Sequence, residues 1–160
     1  MHFRTSLLLF ALAGAMMLLS SASLHNESVG EITFEQYENE VYARAILDKR
    51  YLAHALKQEA DCPAATMLSH CAPAYAQERV NVLINGSKVA LTKVQQELTQ
   101  RHVILTWKLS SNEPVQSLKV NSTYMLSVSD HATLTVNCFL NERELYYTMS
   151  ARKPAINVAY

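Results

Sequence analysis

Asn85-Gly86 lies between two apolar runs, Val80-Asn81-Val82-Leu83-Ile84 and Ser87 to Leu91. It restricts the fold more than any other dipeptide in the chain. A type I′ turn needs positive φ at both central positions, and Asn and Gly reach it cheaply, so the spacing predicts a hairpin. The same two-residue period recurs downstream. In His102 to Leu109, Val103, Leu105, Trp107 and Leu109 share one side, while His102, Thr106 and Lys108 share the other, broken only by Ile104. Such alternation puts one face on a core and the other toward water. Ser110 to Pro114 reads as a loop. Leu118 to Val128 is the next expected strand, with Leu118, Val120, Tyr124, Leu126 and Val128 at even spacing. Ser129-Asp130-His131 turns the chain, and Leu134 to Leu140 and Leu145 to Met149 flank Asn141-Glu142-Arg143-Glu144 as a second hairpin. The tail after Pro154 has little pattern.

Val29 to Phe34 reads as a strand with Ile32 and Phe34 on one side. Residues 34–59 admit two readings. As one long helix, Phe34, Tyr37, Val41, Ala45, Leu52 and Leu56 fall near one stripe, interrupted by Asp48, and the alanines favour it. As a strand followed by a helix, Val41, Ala43, Ala45 and Leu47 alternate, and Asp48 caps a helix from Lys49 to Gln58.

Residues 1–22 have the three parts of an export signal. Arg4 is basic, Leu7 to Leu19 is unbroken and apolar, and small residues follow at Ser20 to Ser23. The apolar block falls short of the roughly 20 residues needed to span a bilayer. Cleavage there would leave one domain, residues 23–160. It would keep all 14 acidic residues and, with Arg4 gone, 13 of the 14 basic ones. A chain so nearly neutral has no long-range field to gather nucleic acid. With 3 glycines and 49% hydrophobic residues, it has the composition of a packed globule.

Cys62 and Cys71 enclose a short loop, Pro63 to His70. In an oxidising compartment they are expected to form a local disulfide, worth roughly 3 kcal/mol by chain entropy. Cys138 sits on the apolar side of the alternating run Leu134 to Leu140 and reads as a small buried hydrophobe; a swapped bridge from Cys138 to either other cysteine is the alternative.

The order of elements resembles a family of small exported bacterial cell-envelope proteins of unknown function. The matching pieces are Ser28-Val29-Gly30-Glu31-Ile32, Arg44 to Leu56, Leu83 to Leu91 around Asn85-Gly86, and His131 to Lys153. The Cys62 to Cys71 loop is an insertion relative to that pattern. The resemblance implies a β-rich envelope domain and favours strand then helix over residues 34–59. It implies no activity and no catalytic residues.

Candidate chemistry is sparse. If His25 became the N-terminus, its amino group and imidazole would form a copper chelate, with His102 or His131 as partner. Cleavage after Ala22 would remove that option. Cys62, His70, Cys71 and Cys138 lack the paired spacing of a structural zinc site. Glu31, Glu35, Glu38 and Glu40 are clustered, which suits a solvated face better than a glycosidase pair. There is no nucleophile elbow, phosphate loop or dinucleotide fingerprint. Tyrosines offer the remaining lead: Tyr146 and Tyr147 must point to opposite faces of a strand, and an exposed ring with Tyr37 or Tyr42 would make a binding patch.

The fold expected is mainly β, an antiparallel two-layer β-sandwich with one or two short helices. The function expected is that of an exported, periplasmic or extracellular, binding module. It would act without catalysis or cofactor on an unknown protein or envelope component. The alternative is a copper-binding protein using His25.

Overall fold

The computed structural model describes residues 27–38, 40–59, 62–63, 67–111 and 113–160. The expected export signal, residues 1–22, and His25 and Asn26 lie outside the described residues.

Ten strands follow in chain order: β1 (Glu27–Tyr37), β2 (Glu40–Asp48), β3 (Val80–Ile84), β4 (Ser87–Lys88), β5 (Leu91–Leu98), β6 (His102–Leu109), β7 (Ser117–Ser122), β8 (Ala132–Leu140), β9 (Arg143–Ser150) and β10 (Ala155–Ala159). Between β2 and β3 come helix α1 (Lys49–Glu59), a π-helical turn (Met67–Cys71) and helix α2 (Ala72–Arg79). A six-stranded sheet runs β5-β6-β2-β1-β8-β9 and a four-stranded sheet runs β10-β7-β3-β4. The fold is therefore a β-rich, two-sheet sandwich with two short helices, as the periodicity predicts.

Alternation decides which face of each sheet is buried. Ile32, Phe34, Val41, Ala43, Ala45, Leu47, Val103, Leu105, Trp107, Leu109, Leu134, Val136 and Cys138 fill the inner face of the large sheet. Val80, Val82, Ile84, Leu118, Val120, Ile156 and Val158 oppose them from the small sheet, in one continuous core. Leu52, Ala55 and Leu56 of α1 and Ala72, Tyr75 and Ala76 of α2 join that core. Gln77 and Gln96 tie the helical segment to β5, donating to the Leu91 and Leu68 carbonyls at 2.9 and 3.0 Å.

Residues 34–59 resolve to strand then helix. The Asp48 carboxylate accepts the Arg50 amide at 2.8 Å, an N-cap bond that ends the strand and starts α1. Asn85 and Gly86 take φ of 51° and 80°, the left-handed pair of a type I′ turn. The Asn85 side chain also accepts the Gln116 and Ser117 amides at 2.7 and 3.1 Å and donates to the Pro114 carbonyl at 2.9 Å. Cys62 and Cys71 form the disulfide, with Cα atoms 6.3 Å apart. Cys138 is free and buried, so the bridge is not swapped.

Five expectations are corrected. The hairpin arm after Gly86 ends at Lys88, and Leu91 begins β5 in the other sheet. The strand from Leu118 stops at Ser122 rather than Val128. There the Ser122 hydroxyl accepts the Tyr124 amide at 3.1 Å and Met125 takes φ of 57°, so the extended backbone ends while Tyr124, Met125 and Leu126 stay buried in a turn. The second hairpin turns on Asn141-Glu142 alone, both at positive φ. The tail beyond Pro154 forms β10, antiparallel to β7. The large sheet is also not wholly antiparallel, because β1 pairs with β8 in parallel, shifting register between Ser28 and Gly30.

Candidate binding face

The outer face of the six-stranded sheet has no layer over it among the described residues. It carries one pattern three times. In Glu35-Gln36-Tyr37, Glu40-Val41-Tyr42 and Glu144-Leu145-Tyr146, each tyrosine hydroxyl donates to the carboxylate two residues earlier, at 2.7, 2.6 and 3.2 Å. The spacing explains the bond. Residues i and i+2 of a strand share a face and stand roughly 6.7 Å apart, a gap that a tyrosine laid along the strand bridges. The bonds to Glu35 and Glu40 are the main reason the Tyr37 and Tyr42 hydroxyls ionise above the ordinary value; partial burial and then Glu144 do the same at Tyr146.

Strand register joins these pairs. In β1 and β2, Glu35 lies opposite Tyr42 and Tyr37 opposite Glu40, a checkerboard of acid and ring. The Tyr37 and Tyr42 rings meet edge to face with centroids 6.0 Å apart. In β8, Phe139 lies between Glu35 of β1 and Glu144 of β9. One row therefore reads Tyr42, Glu35, Phe139, Glu144 across four adjacent strands. Tyr146 closes on Phe139 edge to face at 5.8 Å. Tyr37 is 61% and Tyr146 63% exposed, so both rings stand in water, available to a partner. Lys108 on β6 pairs with Glu40, which holds that carboxyl below the usual range.

The parallel pairing builds the second feature. Because β1 and β8 run the same way, the β1–β2 turn and the β8–β9 turn emerge at the same end of the sheet. Between them is a cleft of about 520 Å³, walled by Gln36, Glu38, Phe139 and residues 141–144. Gln36 accepts the Asn141 amide at 3.4 Å across it, and the Asn141 side-chain amide donates to the Val115 carbonyl. Arg143, nominally a counter-charge here, donates to the Ala159 carbonyl at 3.0 Å and lies over the Tyr160 ring at 5.7 Å. Among the described residues, Glu35, Glu38, Glu142 and Glu144 have no ion-pair partner, whereas Glu40 does. Asn137, one row along β8 on the same face, is 8% exposed; it donates to the Thr33 hydroxyl at 3.4 Å, and its amide oxygen is buried without a partner.

The tyrosines singled out from sequence divide. Tyr37, Tyr42 and Tyr146 lie on this outer face. Tyr147, opposite Val136, faces the core and is half-buried. Phe139, Glu142 and Glu144 were not legible as site residues, although the repeated Glu-x-Tyr spacing was a signal for Glu144. Glu31, Glu35 and Glu40 lie on this solvated face, and Glu38 lies in the turn. The metal candidates are not brought together. His102 is opposite Asp48 at the start of β6, while His131 is exposed just before β8. Three strand spacings, about 14 Å, separate β6 from β8. Among the described residues no group of three or more His, Cys, Asp or Glu is placed to hold a metal ion, and His25 lies outside them.

No protein-family model matches this chain, and no curated protein does.

Proposed function

We propose that this protein is an exported, non-enzymatic binding module whose outer six-stranded face docks a protein or another envelope component. The observation that carries the reading is the triple Glu-x-Tyr pattern around Phe139. It places the exposed Tyr37 and Tyr146 rings, with Tyr42 beside Tyr37, on one sheet face, each hydrogen-bonded to its own carboxylate. Aromatic rings bring large contact area at small entropic cost, and orienting them beforehand lowers the cost further. The outer face of the small sheet offers the contrast: Leu83, Lys119 and Asn157 lie in one row and Asn81, Asn121 and Ala155 in the next, with no aromatic ring. The disulfide in so short a loop supports an oxidising compartment.

Site-directed photo-crosslinking in the native envelope tests this. A crosslinker replacing Tyr146 is expected to trap one species of defined mass. The same group at Lys119 traps none. Equal trapping from both positions, or none from Tyr146, overturns the reading.

A further inference from the structure

Resting on that docking reading, we infer that the cleft at the turn end of the face receives the cationic side chain of a lysine- or arginine-bearing segment of the docked protein. Three observations on different elements converge. The first is the cavity itself, about 520 Å³ between the β1–β2 and β8–β9 turns. The second is its wall. Phe139 lines the cleft and its ring meets that of Tyr146 at 5.8 Å, and a guanidinium or ammonium is attracted to aromatic rings. The third is charge. Glu38, Glu142 and Glu144 line the cleft and Glu35 flanks Phe139, while Arg143, the cation of the lining, is held against Ala159 and Tyr160. Arg44 lies one row in, opposite Thr33, and Lys108 is occupied by Glu40. The lip is thus rich in acceptors. A donor-rich cation complements it, and an anion would be repelled.

The turn residues carry the same sense. Glu38 and Glu142 hold φ of 55° and 59°, where glycine would rest without strain. The chain itself supplies the comparison. The β3–β4 turn is Asn85-Gly86, and the β8–β9 turn is Asn141-Glu142 in the same left-handed conformation. A carboxylate replaces the relaxed residue at the turn that borders the cleft.

The test is titration of the isotope-labelled intact protein with two synthetic peptides, a Gly-Arg-Ser repeat and a Gly-Glu-Ser repeat, followed by amide chemical shifts. The arginine peptide is expected to shift residues 35–38 and 139–146, and added salt should weaken it. The paired substitution Glu38→Gly and Glu142→Gly is expected to cut affinity about tenfold or more while raising the melting temperature. A Glu38→Gln, Glu142→Gln pair should lose the same affinity without relaxing the turns. Absent binding, equal binding of the glutamate peptide, or unchanged affinity in both pairs overturns the inference. The Tyr146 crosslink separates the two readings: if it forms while the arginine peptide fails, the docking face stands and only its cationic guest is wrong.

Discussion

The Tyr37 hydroxyl donates to the Glu35 carboxylate at 2.7 Å, two residues back on the same strand. The bond turns two flexible surface side chains into one oriented unit, and β2 and β9 repeat it. It also has a titration signature. Glu35 is the first cause of the raised Tyr37 ionisation. Glu35→Gln is therefore expected to move the Tyr37 pKa down toward its ordinary value, read from the ring proton shifts between neutral and alkaline pH. An unchanged Tyr37 titration would show that the pair does not persist in solution.

Asp48 should make the stability of this domain acid-sensitive. Burial works to raise its pKa, but bonds from the Arg50 side chain and the Arg50 and Tyr51 amides outweigh it and hold the carboxyl below the usual value. A lowered folded pKa stabilises the fold above the unfolded value of about 3.9, and that contribution is lost as pH falls through the folded one. Asp48→Ala is expected to cost about 1 kcal/mol at neutral pH through the lost cap. The deficit relative to wild type should shrink below about pH 4, measured by denaturant unfolding across pH.

Gly30 is needed for space. A Cβ there would lie 2.7 Å from the Ile46 carbonyl oxygen and 3.0 Å from the Leu47 side chain, across the β1–β2 pairing. Gly30→Ala is expected to destabilise by about 1–3 kcal/mol, since backbone must shift to relieve the contact. Gly86→Ala tests a different cause. It meets no atom within 4 Å but takes φ of 80°, so its cost is conformational.

Glu142→Gly alone should stabilise the protein by about 1 kcal/mol, by converting the β8–β9 turn to the Asn-Gly form. Thermal unfolding of this single variant reads the strain without reference to any ligand. A lowered melting temperature would mean that Glu142 makes a stabilising contact that outweighs its backbone cost.

The thiols should report two environments. Burial pushes the Cys138 thiol up to about 11, and the side chain is inaccessible. The folded, unreduced protein is therefore expected to show no thiol reactive to a maleimide at neutral pH, and one after unfolding. Reduction of Cys62–Cys71 should lower stability by roughly 3 kcal/mol.

The strands on which the site rests were mostly legible. Val103, Leu105, Trp107 and Leu109 announce β6 and its buried side, and Asn85-Gly86 announces its turn. Asp48 as a cap, together with the alternation from Val41 to Leu47, was readable but competed with a helical stripe. The β5 strand was not legible, because Leu91 to Leu98 lies at a sheet edge with most of its residues exposed. Tyr124 to Leu126 misled for the opposite reason: a buried turn imitates a strand when its apolar residues happen to fall at even spacing.

The sequence by itself determined the two-residue period, the buried side of most strands, the Asn85-Gly86 turn and the pairing of each Glu with the Tyr two residues later. All are local consequences of extended backbone. Tertiary structure alone decided the strand order, the parallel pairing of β1 with β8, and which of Tyr146 and Tyr147 meets water. It also placed Phe139 between Glu35 and Glu144, and brought Glu38 and Glu142 to one cleft. Those relationships join residues about a hundred positions apart, through backbone bonds whose partners no local pattern names.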